Sequence, residues 1–356
     1  MNQRVLKLME RLALDQCEAV LVHNPSNMFY LSGYTGEGLV LIGREMQVIV
    51  TDFRYTEQAE KQAPGFSVEM TEKGVSHEAI VGRLCAEHEI GALYYEDDYL
   101  TVRSFESCRK AVPGVEWKSL HEEVQHIRQI KDEDELSRIA EACRITSEAF
   151  ERLLPEIKEG VTEKELALKL EFDMLTHGAT GLAFSTIVAA GANGSLPHAV
   201  PGDYKVRLGD MITFDFGAKY NGYCADMTRT VALGQPSDEM RKVYQTVLTA
   251  QQTARDAVMA GKCCKDIDAI ARDYIYSHGY EGRFGHGLGH SVGIDIHEEP
   301  RLSMTCSAIL EENQIMTVEP GIYLPGVGGV RIEDSVIVKK DGCIPLTSPT
   351  RELIIL

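Results

Sequence analysis

The chain has 356 residues, which at ~150 residues per domain predicts two domains, and its 44% hydrophobic and 25% charged residues exclude a disordered chain. No apolar run approaches the ~18 residues needed for a membrane-spanning helix. With 54 acidic against 36 basic residues the formal charge is -18, which repels phosphate backbones and anionic lipid and excludes nucleic acid and membrane as general partners.

The N-terminal residues scatter Arg4, Lys7, Glu10 and Arg11 among apolar positions and lack a signal-peptide core. The nine cysteines are odd in number and include no C-x-x-C pair, so they read as reduced thiols and the chain as cytoplasmic. Val5, Leu6, Leu8, Met9 and Leu12 predict a first helix with one apolar face. Short apolar runs at 19–22, 39–42, 48–50 and 92–95 predict strands, with helices over 55–62 and 76–87 between the later ones. This alternation predicts an α/β domain over residues 1–128, and no cluster in it has a catalytic pattern.

The second domain, 129–356, opens with a charged helical stretch at 131–157. Thr162 and Glu165 then form a capping-box pattern ahead of a further helix. Glycine-rich strands and tight turns follow, interrupted by helices near 238–259 and 266–277.

Within this second domain, acids stand where strands should not have them. In Met211-Ile212-Thr213-Phe214-Asp215-Phe216-Gly217 the apolar residues share one face, so Asp215 projects from the other beside Thr213. A return strand over 223–233 presents Asp226, Thr228 and Thr230 on one face. A turn centred on Tyr220-Asn221 sets Asp215 directly opposite Asp226, whereas one centred on Asn221-Gly222 makes them diagonal neighbours; either keeps both on one face. The device recurs at Glu319, held extended by Pro320, and Glu333, with Pro325-Gly326 as the turn and Arg331, Glu333 and Ser335 on one face. Between the hairpins, Phe284 to Gly293 reads as a glycine-rich loop carrying His286 and His290, and it is not a dinucleotide fingerprint. His297 does not match the zinc-protease pattern, and His198 lies between Pro197 and Pro201.

Two carboxylates ~4 Å apart repel by about 4 kcal/mol at an effective dielectric near 20. Four converging acids therefore call for cations, and two divalent ions balance their charge. The oxygen-rich donor set with one imidazole favours manganese, cobalt or iron(II), with zinc allowed by affinity.

These segments resemble the metallopeptidases of the pita-bread fold, in the prolidase and aminopeptidase P branch, and the resemblance spans essentially the whole chain. It implies an α/β N-terminal domain ahead of an α+β pita-bread catalytic domain. By that likeness Asp215 chelates one metal, His290 and Glu319 bind the second, and Asp226 and Glu333 bridge both. It also implies that His198 and His297 hold the scissile carbonyl and stabilise the tetrahedral intermediate, that Glu319 is the acid/base, and that His286 lines the proline side of the pocket. Arg331 either binds substrate or supports a bridging acid. The implied activity is hydrolysis of the Xaa-Pro bond of dipeptides or short peptides by a metal-bridging hydroxide, in a cytoplasmic homodimer. The alternatives are a methionine aminopeptidase, whose relatives commonly lack such an N-terminal domain, the metal-free creatinase, and a non-catalytic peptide- or protein-binding member of the fold. Retention of all five ligand positions argues against the last two.

Overall fold

A computed structural model describes residues 2–356, and its contacts divide the chain into two compact units: the residues up to Arg128, and Gln129–Leu356. The first unit contains α1 (Gln3–Arg11), β1 (Glu18–Val22), α2 (Pro25–Ser32), β2 (Leu39–Gly43), β3 (Met46–Thr51), α3 (Thr56–Gln62), β4 (Ser67–Met70), α4 (His77–Glu87), β5 (Ala92–Tyr95), α5 (Val102–Ala111) and β6 (Glu116–Ser119), with α6 (Glu123–Gln129) at its end. Its six strands run in the order β4-β3-β2-β1-β5-β6. Antiparallel pairs β1/β2 and β2/β3 lie at the centre, with parallel pairs β3/β4, β1/β5 and β5/β6 outside them. β2 is buried along its whole length, which is why it reads as an unbroken apolar run rather than an alternating one. In α1, Val5, Leu8 and Met9 are buried while Leu6 faces solvent, so the apolar stripe is narrower than the sequence pattern.

The second unit opens with α7 (Glu133–Leu153) and α8 (Glu163–Thr176), each started by a complete capping box, Asp132 with Glu135 and Thr162 with Glu165. There follow β7 (Gly181–Leu182), β8 (Ile187–Ala190), β9 (Met211–Phe216), β10 (Ala218–Tyr220), β11 (Tyr223–Cys224), β12 (Met227–Ala232), α9 (Asp238–Asp256), α10 (Cys264–Ser277), β13 (Gly289–Ser291), β14 (Glu298–Leu302), β15 (Ile315–Val318), β16 (Gly321–Leu324), β17 (Gly328–Arg331), β18 (Asp334–Lys339) and β19 (Gly342–Pro345). The strands form the sheets β12-β9-β8, β11-β10-β7, β14-β13-β15-β18-β19 and β16-β17. One apolar core joins Phe150, Leu166 and Leu170 of α7 and α8 to Phe214, Phe216 and Val231. A second joins Val243, Val247, Ile267 and Ala271 of α9 and α10 to Met316, Val318, Ile322 and Val330. Helix pairs thus cover both strand systems, leaving the polar strand faces to one another.

Asn221 and Gly222 both take positive φ, 45° and 89°, as a two-residue hairpin turn with right-handed strand twist requires. The turn sets Asp215 opposite Thr228 and makes Asp226 its diagonal neighbour. The return strand expected over 223–233 is broken at Ala225 and Asp226 into β11 and β12. The break depends on Gly217, where an added Cβ would lie 1.8 Å from the Ala225 carbonyl oxygen. In the other hairpin one register runs through both sheets: Val318 pairs with Asp334 and Gly321 with Arg331, leaving Glu319 and Glu333 facing across the interruption. Asp226, Glu319 and Glu333 therefore sit at gaps in the ladders, where side chains are free to turn into the space between sheets, whereas Asp215 is paired on both sides within β9.

Gly217→Ala is expected to destabilise the cation-free protein by about 2 kcal/mol or more, as overpacking against backbone does. Urea denaturation checks it, and an unchanged midpoint contradicts this account of the strand break.

Candidate metal centre

Three side chains from distant segments meet closely: Asp226, His290 and Glu333 each offer a ligand atom, and these atoms lie within 4.8 Å of one another. All three are buried. The His290 ring Nε2 is 3.5 Å from Asp226 Oδ2 and 3.5 Å from Glu319 Oε1. His290 reaches this point because Gly289 lets β13 pack tightly on β15: a Cβ there would lie 2.0 Å from the Thr317 carbonyl oxygen. The His290 backbone N–H donates to Thr317 Oγ1 at 3.1 Å.

The hydrogen bonds fix the state of the imidazole. Nδ1 is 3.0 Å from the Ser291 carbonyl oxygen, which can only accept, so Nδ1 carries the proton. Burial drives the His290 pKa down to about 4, leaving the ring neutral near pH 7 with an Nε2 lone pair aimed at two carboxylates. Burial also raises the pKa values of Glu319, to about 8, and of Asp226 and Glu333, well above the carboxylate range, with repulsion between the acids adding to it. Asp215 Oδ1 and Glu333 Oε1 are buried with no hydrogen-bond partner among the described residues. A lone pair, two orphaned carboxylate oxygens and a surplus of acids suit divalent cations, and the donor set fits them chemically.

Asp215 Oδ2 is 2.6 Å from Arg331 Nη2. The same guanidinium donates to Tyr323 Oη at 2.9 Å, to Thr228 Oγ1 at 3.2 Å and to the Pro197 carbonyl at 3.3 Å. Tyr323 Oη is in turn 2.9 Å from His286 Nε2. Since His286 Nδ1 donates to the Gly287 carbonyl, Nε2 accepts the tyrosine proton.

One cavity of about 590 Å³ gathers Asp215, Asp226, His290, Glu319 and Glu333 with His198, His286, His297 and Arg331. All nine residues singled out from the sequence thus border the same space. His297 is exposed and sets its ring edge-on to His290, centroids 4.6 Å apart. His198 is exposed on the loop after β8.

Sequence reasoning missed the residues that hold this arrangement. Glu163 is buried and accepts from Ala190 N, Asn193 Nδ2 and Gly202 N at 2.8, 3.0 and 3.1 Å, bracketing the loop that bears His198. Buried Lys131 pairs with Glu298 at 3.2 Å, next to His297. Arg272, paired with Asp268, donates to the carbonyls of Phe284 and His286. Arg301, on the cavity wall, was also missed: β-bridge spacing alone does not mark it. Tyr323 had a signal, lying in the same hairpin as Glu319 and Arg331.

The family description Metallopeptidase family M24 fits residues 137–340, and Creatinase/Prolidase N-terminal domain fits residues 4–130. The chain belongs to metallopeptidase family M24. A relative, the Xaa-Pro dipeptidase of Pyrococcus horikoshii, is 36% identical over 358 residues, 99% of each chain. Among solved structures, the Xaa-Pro dipeptidase from Bacillus anthracis matches this M24 chain with a TM-score of 0.94 at 39% identity, covering 99% of each chain. The X-Pro aminopeptidase from Thermotoga maritima matches with 0.91 at 38% identity, covering 98% of this chain and 99% of that one. Family membership makes the chain a metal-dependent peptidase with a creatinase-type α/β N-terminal domain and an α+β pita-bread catalytic domain.

The raised acid pKa values fix a pH dependence. A carboxyl whose folded pKa lies above its unfolded one costs stability as pH rises from the unfolded toward the folded value. Between pH ~6.5 and ~8 the imidazoles His286 and His290 are neutral in the folded protein and lose their remaining unfolded-state charge, an opposing effect that fades with rising pH and is outweighed by the three raised acids. Chelator-treated protein should lose thermal stability from pH 6.5 to 8, and the rise in Tm on adding manganese should grow over that window. Differential scanning calorimetry checks both, and Glu333→Gln should flatten the trend.

Proposed function

We propose that this M24 peptidase is an Xaa-Pro dipeptidase working with two divalent cations, manganese in the first instance. The carrying observation is the convergence of Asp226, His290, Glu319 and Glu333, with Asp215 beside them, in one cavity whose surplus of acids has, among the described residues, one buried guanidinium against it, that of Arg331. The Xaa-Pro names of the relatives support the substrate class. The match to the creatinase/prolidase N-terminal domain weighs against a methionine aminopeptidase. In this reading Asp215, Asp226, His290, Glu319 and Glu333 would hold the cations.

Bound there, the cations supply a water acidic enough to attack at neutral pH and a Lewis acid for the carbonyl. Glu319 takes the water's proton on its carboxylate and delivers it to the leaving proline nitrogen. His297, whose pKa burial lowers, is a neutral ring whose N–H stabilises the developing oxyanion. His198 places the substrate carbonyl, and His286 presents its ring to the proline side. Arg331 is buried and its guanidinium nitrogens already have partners, so its work is to orient Asp215. Arg301 remains as a cation for the substrate carboxylate, which in a dipeptide lies one residue past the scissile bond; it is half exposed and bonds only to Glu299, at 3.1 Å, among the described contacts. The nine free thiols fit a reducing cytoplasm, and the family resemblance supports a homodimer, which light scattering tests.

Assays on Xaa-Pro dipeptides, Xaa-Pro-Xaa tripeptides and Met-Ala-Ser with manganese should show turnover of the dipeptides. Cleavage of Met-Ala-Ser alone would overturn the proposal. Asp226→Asn is expected to abolish activity and bound metal together. His297→Ala should lower kcat by about 10²-fold, the scale of a lost oxyanion donor, with metal content unchanged on elemental analysis.

A further inference from the structure

Thr228 lies on β12, fully buried, between two residues of the other hairpin. Its Oγ1 accepts from Arg331 Nε at 3.2 Å and donates to Glu333 Oε2 at 2.8 Å. Arg331 must be the donor of the first bond, because a guanidinium cannot accept, and with a cation keeping Glu333 ionised the hydroxyl is the donor of the second. Arg331 continues the chain to Asp215 Oδ2. The Glu333 backbone N–H also donates to the Thr228 carbonyl at 3.1 Å, so strand and side chain are tied at the same point. The four-residue relay Asp215–Arg331–Thr228–Glu333 occupies one oxygen of each terminal carboxylate. The other two, Asp215 Oδ1 and Glu333 Oε1, are the buried oxygens without partners.

We propose that Thr228 is a positioning residue for the metal centre: its single hydroxyl locks carboxylates from two separate hairpins into one orientation, reserving Oδ1 of Asp215 and Oε1 of Glu333 for cations. This rests on the metal-peptidase reading above. A threonine suits the task because β-branching on a strand restricts χ1 and so holds the hydroxyl in place. Without the hydroxyl, Glu333 Oε2 loses its donor and the carboxylate is free to rotate.

Manganese binding to chelator-stripped, full-length protein, followed by calorimetry, tests this. Thr228→Val, equal in shape, should weaken manganese binding by about 10–100-fold, the scale on which partners of metal-ligating groups act. Thr228→Ser, which keeps the hydroxyl, should restore affinity to within about threefold of the parent on the same scale. Circular dichroism of the stripped proteins establishes that each is folded, and Thr228→Ala carries the same expectation should the valine variant not fold. Binding by folded Thr228→Val or Thr228→Ala as tight as the parent's overturns the proposal, as does a serine variant as weak as the valine one. A parent protein that takes up no manganese overturns the metal reading itself, a result distinct from either.

Discussion

The structure turns on the cost of burying carboxylates together. Asp215, Asp226, Glu319 and Glu333 border one cavity, and among the described residues lining it the one buried guanidinium is that of Arg331. At an effective dielectric near 20 a single close pair of such charges repels by about 4 kcal/mol, a large part of what keeps a domain folded. The neighbouring acid Asp334 shows the contrast. Burial raises its pKa, but Arg229 and Arg351 more than offset this and hold the carboxyl below the usual range, with Thr347 and Gln251 completing its hydrogen bonds. Two adjacent residues, Glu333 and Asp334, thus have opposite fates: one is fully satisfied from inside the chain, and the other is left waiting for a cation.

Holding an unfavourable cluster in place demands rigid surroundings, and the anchors are themselves buried polar groups. Glu163 pins the segment with His198, Lys131 with Glu298 pins that with His297, and Asp268 with Arg272 pins that with His286. Removing one member of such a pair leaves a buried charge uncompensated, so each anchor is costly to break even where the intact pair adds little to stability. The result is preorganisation: the segments that carry the histidines are tied into the fold by buried polar groups beside the acids, as catalysis by charge stabilisation requires.

Much of this was legible in the sequence because it depends on local chemistry. Alternation placed Asp215 and Asp226 on one strand face, and the Asn221-Gly222 pair, one of two registers left open, proved to be the turn. The capping box at Thr162 and Glu165 formed as its spacing requires. What stayed hidden depends on long-range contact. The break at Ala225 and Asp226 arises from the close approach of Gly217, and Glu163, Lys131 and Arg272 look like ordinary helical charges until the fold buries them. Helix α2 was missed although Asn24 and Pro25 form a good start for it, because it has only eight residues and no apolar period. Thr228 was placed on the correct face, but its role needs Arg331 and Glu333 from more than 100 residues away.

Anomalous diffraction at the manganese edge, from crystals equilibrated with the ion, addresses the central claim most directly. The account requires two peaks about 4 Å apart or less, lying among Asp215, Asp226, His290, Glu319 and Glu333. A cavity without anomalous density under saturating manganese, its acids protonated instead, would contradict it.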